Sequence, residues 1–202
     1  MSMANIITLS RLPLLLIFVG FLLSSRVELR FAAFFLLIIL FLMDWMDGYV
    51  ARRRQEVTEL GAVLDVALDR AVENILWVVF LSIQLAPLWA PILFLSRSFI
   101  VDGLRSVALS RGQSVFGMMH SPWGRFLVAS RFMRALYGLA KAWVFCQLTL
   151  TSALLLYNPP SALLLAGPNQ FMIFFVALLC VLRGIPVLVD SSIYFSQSQA
   201  GR

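Results

Sequence analysis

Charged side chains are scarce: they make up 13% of the 202 residues, against 61% that are hydrophobic. A soluble domain of this size needs a charged exterior, so the shortage excludes one and makes lipid the solvent for most of the chain. Histidine and cysteine are almost missing too. His120 stands alone as an ordinary polar loop residue, and Cys146 and Cys180 sit in separate apolar runs as packing residues without ligand spacing. A zinc site is therefore not expected. Neither an internal repeat nor a low-complexity tract interrupts the chain, so residues 1–202 read as one membrane domain.

The opening stretch, MSMANIITLSRLPLLLIFVGFLLSS, has the apolar core of a signal peptide but lacks its other parts. Its basic region is a single Arg11, the residues before that are themselves apolar, and no A-x-A-like cleavage site follows. An interfacial helical turn followed by a first span over about Leu12 to Leu23 is the expectation. The net charge of +6 would suggest nucleic acid in a soluble protein. Here the arginines gather in connecting segments, where they report orientation and anionic ligands, so a nucleic-acid partner is not expected.

Acidic residues are few but concentrated. Asp44, Asp47, Asp65 and Asp69 fall within 26 residues, flanked by the hydrocarbon runs FAAFFLLIILFLM and NILWVVFLSI. Residues three or four apart share a helix face, so Asp44, Asp47, Gly48 and Ala51 form one stripe and Gly61, Asp65 and Asp69 another. Two such helices facing each other across a short turn would place carboxylates on both sides of a gap. A carboxylate at membrane depth costs a few kcal/mol and calls for a partner. Mg²⁺ or Mn²⁺ suits it, since both prefer carboxylate oxygens. Gly48, Ala51 and Gly61 would leave room beside the acids, although small residues also serve helix packing in membranes.

The pattern D-x2-D-G-x2-A-R-x8-G-x3-D-x3-D, from Asp44 through Arg52 and Gly61 to Asp69, resembles the signature of the CDP-alcohol phosphatidyltransferase family. Every specified position matches, and eight fixed residues at ordinary usage would coincide on the order of once in a billion starts. Asn5, Thr8 and Arg11 also resemble the N-x-x-T-x-x-R stretch with which many members begin. The resemblance implies an all-α integral membrane enzyme, usually a homodimer, that moves the phosphatidyl group of CDP-diacylglycerol to an alcohol and releases CMP. It implies two divalent ions, Mg²⁺ or Mn²⁺, held by Asp44, Asp47, Asp65 and Asp69. Asp69 would also take the acceptor proton, and Gly48, Ala51, Arg52 and Gly61 would surround the nucleotide.

Arginines indicate the acceptor. Arg97, Arg105, Arg125 and Arg131 are expected on the site side of the bundle, and a guanidinium fork suits phosphate. Arg97 to Arg105 resembles the R-E-x-x-x-S-x-L-R stretch of phosphatidylglycerophosphate synthases, with Ser98 in place of Glu and Asp102 in place of Ser. Glycerol 3-phosphate is therefore the leading acceptor, ahead of inositol phosphate, phosphatidylglycerol and serine. A cation channel or transporter is the rival from another class, but a conduction path distributes polar residues through the bilayer, whereas these four aspartates gather at one end of it.

About six spans are expected, with both ends of the chain inside. After the first come Phe31 to near Asp44, Gly61 to Leu85, Leu88 to Leu109, Leu136 to Leu156 and Asn169 to Phe195. Arg52, Arg53 and Arg54 anchor the end of the second span on the cytoplasmic side, while the uncharged loops at Pro87 and Asn158 suit the outer side. The expected location is the bacterial cytoplasmic membrane, with the active site facing the cytoplasm. Glu73 and Asn74, one turn past Asp69, are expected on the pocket floor or in an interhelical pair with an arginine. Arg183 and Asp190 share a face of the last span without an assigned role.

Overall fold

The computed structural model describes the backbone of residues 3–54, 59–110 and 124–200, and the side chains of residues 8–46, 61, 63–104, 106, 124, 126–128 and 130–189. His120 lies outside the described residues. The described residues form seven α-helices: α1 Met3–Leu22, α2 Val27–Arg54, α3 Glu59–Ser82, α4 Trp89–Ser110, α5 Arg131–Tyr157, α6 Pro159–Leu164 and α7 Ala166–Ala200, with a π-helical turn at Arg125–Ala129. The all-α expectation holds.

Among the described residues, three stretches are long and apolar enough to cross a membrane: Val27–Met46, Arg131–Tyr157 and Pro159–Val189, with Thr8–Leu22 a shorter apolar helix. Only 17% of the Val27–Met46 stretch is buried within the protein, so most of its apolar surface needs lipid. α3 and α4 are more heavily charged, with Asp65, Asp69, Arg70 and Glu73 on one and Arg97, Asp102 and Arg105 on the other. The charges that carry the chemistry are thus the ones that weaken the hydropathy signal.

Local chemistry sets several boundaries. α1 runs as one helix through Pro13 instead of dividing into an interfacial turn and a span. α3 stops at Ser82 because Gln84 takes the left-handed φ of 59°, which lets the N–H groups of Leu85 and Ala86 reach back to Phe80 O at 2.9 and 3.1 Å. Pro87 follows and cannot resume the ladder. After Asn158 the chain forms α6 where a plain loop was expected. Pro159 and Pro160 occupy its first positions, where a missing N–H costs nothing and the fixed φ already suits a helix.

The chain divides into two units. One comprises residues 1–88 and 142–170, which hold α1 to α3, the second part of α5 and α6. Its core packs Leu15, Phe18, Leu37, Leu40, Leu76 and Trp77, all fully buried. Phe145 meets Trp77 edge-on at 4.9 Å and stacks on Phe80 at 5.9 Å, joining α5 to α3. Arg30 on α2 donates from Nε to Ser24 O at 2.8 Å, and from Nη1 to Ser152 O and Oγ at 3.0 Å each. That fork ties the start of α2 to α5.

Residues 89–141 and 171–202 make the second unit. Trp89 stacks on Phe174 at 4.9 Å, and Val101, Val128 and Val187 form a small buried cluster with Leu104 against it. Arg183 is buried; its Nη1 donates to Met133 O at 3.3 Å and its guanidinium lies 5.0 Å from the Tyr137 ring centre, with Lys141 on the same ring at 4.6 Å. The side chain of Asp190, one of the two charges expected on this face, lies outside the described residues.

Candidate active site

Helical spacing brings the acids of two helices together. Asp44 near the end of α2 and Asp65 and Asp69 in the first half of α3 each offer a carboxylate oxygen, and these oxygens lie within 4.8 Å of one another. Asp65 and Asp69 are one turn apart on one face of α3, and α2 supplies Asp44 opposite. The side chains remain half-open, at 39%, 44% and 47% exposure for Asp44, Asp65 and Asp69.

These residues fit a divalent metal. Three carboxylates whose oxygens already lie within 4.8 Å of one another could converge on one such ion by side-chain rotation. All the donors are hard oxygens, which favours Mg²⁺ or Mn²⁺ over zinc. The Asp44, Asp65 and Asp69 cluster could therefore hold a metal ion.

A residue that sequence reasoning left outside the site occupies its floor. Arg11 of α1 is 2% exposed, and its Nη1 makes a charge contact with Asp44 Oδ1 at 2.7 Å and a longer one with Asp65 Oδ1 at 3.8 Å. Its Nη2 donates a hydrogen bond to Asp69 Oδ1 at 2.9 Å. One guanidinium thus serves both carboxylate helices. A buried cation of this kind is stable only with such partners, and a single basic residue inside an otherwise apolar helix was the available signal.

The other sequence-derived residues are placed as follows. Gly61 lies on α3 one turn before Asp65, half-buried. Asp47, Gly48, Ala51 and Arg52 belong to the last turns of α2, and their side chains lie outside the described residues. Glu73 is buried and pairs with Arg70 at 3.4 Å along α3, so the arginine it meets is on its own helix. Asn74 Oδ1 is buried with no hydrogen-bond partner among the described residues.

Arg97 and Arg105 are on α4, Arg125 opens the π-helical turn and Arg131 begins α5, exposed. The side chains of Arg105 and Arg125 lie outside the described residues. Arg97 packs its Cγ 3.5 Å from the point where Gly184 would carry a Cβ, and its Nε is buried with no hydrogen-bond partner among the described residues. A buried guanidinium donor left over in this way is suited to an anion.

Comparison with known proteins agrees with this chemistry. The family model described as CDP-alcohol phosphatidyltransferase matches residues 1–183. The chain is 32% identical over 171 residues, 79% of each chain, to a CDP-diacylglycerol–glycerol-3-phosphate 3-phosphatidyltransferase of Bacillus subtilis (strain 168). It is 22% identical over 196 residues to the protein of the same name in Rickettsia felis, covering 96% of this chain and 97% of that one. A Mycobacterium tuberculosis protein provisionally named a cardiolipin synthase is 31% identical over 114 residues, 56% of this chain and 54% of its own.

Proposed function

Because the chain belongs to the CDP-alcohol phosphatidyltransferase family, we propose that the CDP-diacylglycerol-dependent transfer it catalyses has glycerol 3-phosphate as its acceptor. The observation that carries the chemistry is the meeting of Asp44, Asp65 and Asp69 between α2 and α3. The acceptor rests on the likeness to the Bacillus subtilis protein and on the arginines Arg97, Arg105, Arg125 and Arg131.

Asp44, Asp47, Asp65 and Asp69 would hold two divalent cations, Mg²⁺ or Mn²⁺. Bound there, the ions would offset the charge of the pyrophosphate and polarise its β-phosphorus. Asp69 accepts the proton of the acceptor hydroxyl, a role suited to the most exposed of the three described carboxylates. The hydroxyl oxygen then bonds to the β-phosphorus, the bond from that phosphorus to the CMP oxygen breaks, and CMP departs with the electron pair. Gly48, Ala51 and Gly61 leave space for the nucleotide, which Arg52 contacts. The leftover Nε of Arg97 supports an anionic ligand beside α4, and Arg105, Arg125 and Arg131 complete the set that receives the acceptor phosphate.

The protein is an integral membrane protein. Its six-span arrangement, its homodimeric state and a site open to the cytoplasm of a bacterial cell are parts of the same proposal, supported by the apolar helices and by Arg52, Arg53 and Arg54.

The likeness to the mycobacterial protein favours phosphatidylglycerol as the second acceptor to test. Purified protein given CDP-diacylglycerol and, separately, glycerol 3-phosphate, glycerol, inositol phosphate, phosphatidylglycerol and serine will distinguish them by the lipid formed. Phosphatidylglycerophosphate is expected. Cardiolipin, or a product from serine or inositol phosphate alone, would overturn the acceptor while leaving the transferase.

A further inference from the structure

We propose that Arg11 is a positioning residue, whose guanidinium sets the carboxylates of Asp44, Asp65 and Asp69 in the orientation that receives divalent cations. The inference rests on the metal reading given above and concerns a residue of α1, outside the acidic motif. Its first support is the difference in burial. Arg11 is 2% exposed while its three partners are 39–47% exposed, so the cation lies beneath the acids and leaves their open side for ligands.

The second support is the fork. Nη1 serves Asp44 on α2 and, more distantly, Asp65 on α3, while Nη2 binds Asp69 on α3, and each contact falls on Oδ1. Two nitrogens held in one plane fix the angle between carboxylates on separate helices, which a point charge cannot do. Charge is the third. Three carboxylates this close repel one another, and one guanidinium removes part of that repulsion. With Asp47 the acids carry four negative charges and Arg11 offsets one, so Arg11 can restrain the acids without cancelling their attraction for divalent ions. Such supporting contacts to ligating side chains typically matter about 10- to 100-fold in metal affinity.

The test is Mn²⁺ binding by calorimetry to the detergent-purified full chain and to Arg11→Lys, which keeps the charge and loses the fork. The variant is expected to elute and insert like the parent, to bind Mn²⁺ about 10- to 100-fold more weakly, and to require proportionally more Mn²⁺ for half-maximal transfer. Its KM for the acceptor should stay unchanged. Affinity equal to that of the parent would overturn the proposal, and tighter binding would show that the guanidinium competes with the metal. If Arg11→Lys does not fold, Arg11→Gln takes its place with the same expected loss. Failure of both to fold, with or without Mn²⁺, would make Arg11 a structural anchor and also overturn the proposal. If the parent itself binds no Mn²⁺, the metal reading fails first.

Discussion

Arg11 Nη2 and Asp69 Oδ1 lie 2.9 Å apart although 58 positions separate the two residues in the chain. The contact joins α1, otherwise an apolar helix, to the helix that carries half of the acidic motif. Neutralising any member of this group therefore changes both the metal ligands and their support.

Asp44→Asn, Asp47→Asn and Asp65→Asn should each lower phosphatidyl transfer by more than about a hundredfold, the loss expected when several kcal/mol of metal-based charge stabilisation disappear. Membrane insertion should not change, because each substitution is nearly isosteric, while Asp44→Asn, which deprives the buried Arg11 of a close partner, should also lower the Tm. EDTA should silence the parent enzyme, and added Mg²⁺ or Mn²⁺ should restore it. Transfer that persists in EDTA with no metal in the protein would refute the two-ion site.

Neutralising Arg105 or Arg125 should raise the KM for glycerol 3-phosphate by about ten- to a hundredfold, the value of roughly 1.5–3 kcal/mol for a charge-assisted contact. The KM for CDP-diacylglycerol should move much less, and free glycerol should not serve as substrate. Steady-state kinetics with the two substrates varied in turn will decide it, and an unchanged acceptor KM in both variants would dismiss these arginines.

Arg30→Met should destabilise the protein without touching the chemistry. It removes the donors to Ser24 O, Ser152 O and Ser152 Oγ, a loss of about 1.5–3 kcal/mol for hydrogen bonds from a charged group. A Tm lowered by several degrees in detergent, with kcat and KM near those of the parent at low temperature, is the expected result. A similar fall should follow Phe145→Ala, which empties the space between Trp77 and Phe80.

Orientation can be read by labelling single cysteines in a background where Cys146 and Cys180 have been replaced. Cysteine at position 55 or 113 should react only with reagent reaching the cytoplasmic side, and cysteine at Asn158 only with reagent outside. The basis is the arginine run at 52–54 set against the uncharged Asn158 segment. The opposite pattern would invert the topology.

What the sequence by itself determined was whatever depends on neighbours within a few turns. Helical periodicity aligns Asp65 with Asp69 whatever else the chain does, so that pair and its helix were legible from spacing, and the signature from Asp44 to Asp69 gave the family by resemblance. Hydrophobic runs likewise marked α2, α5 and α7 as lipid-facing. Weaker local signals went astray: the Asn158 segment looked like a loop because two prolines end one helix as readily as they begin the next. Tertiary structure decided the rest. Arg11 in an apolar opening stretch reads as the lone charge of an interfacial turn, and only the packing of α1 beneath α2 and α3 turns it toward Asp44 and Asp69. Glu73 is the opposite case: Arg70 lies three positions earlier on the same helix face, so that pairing was local and open to a reading by spacing, whereas the pairs of Arg11 cross helices. A buried ion pair is selected by which helices meet, and that meeting is fixed by nonlocal packing, which leaves no period in the sequence to read.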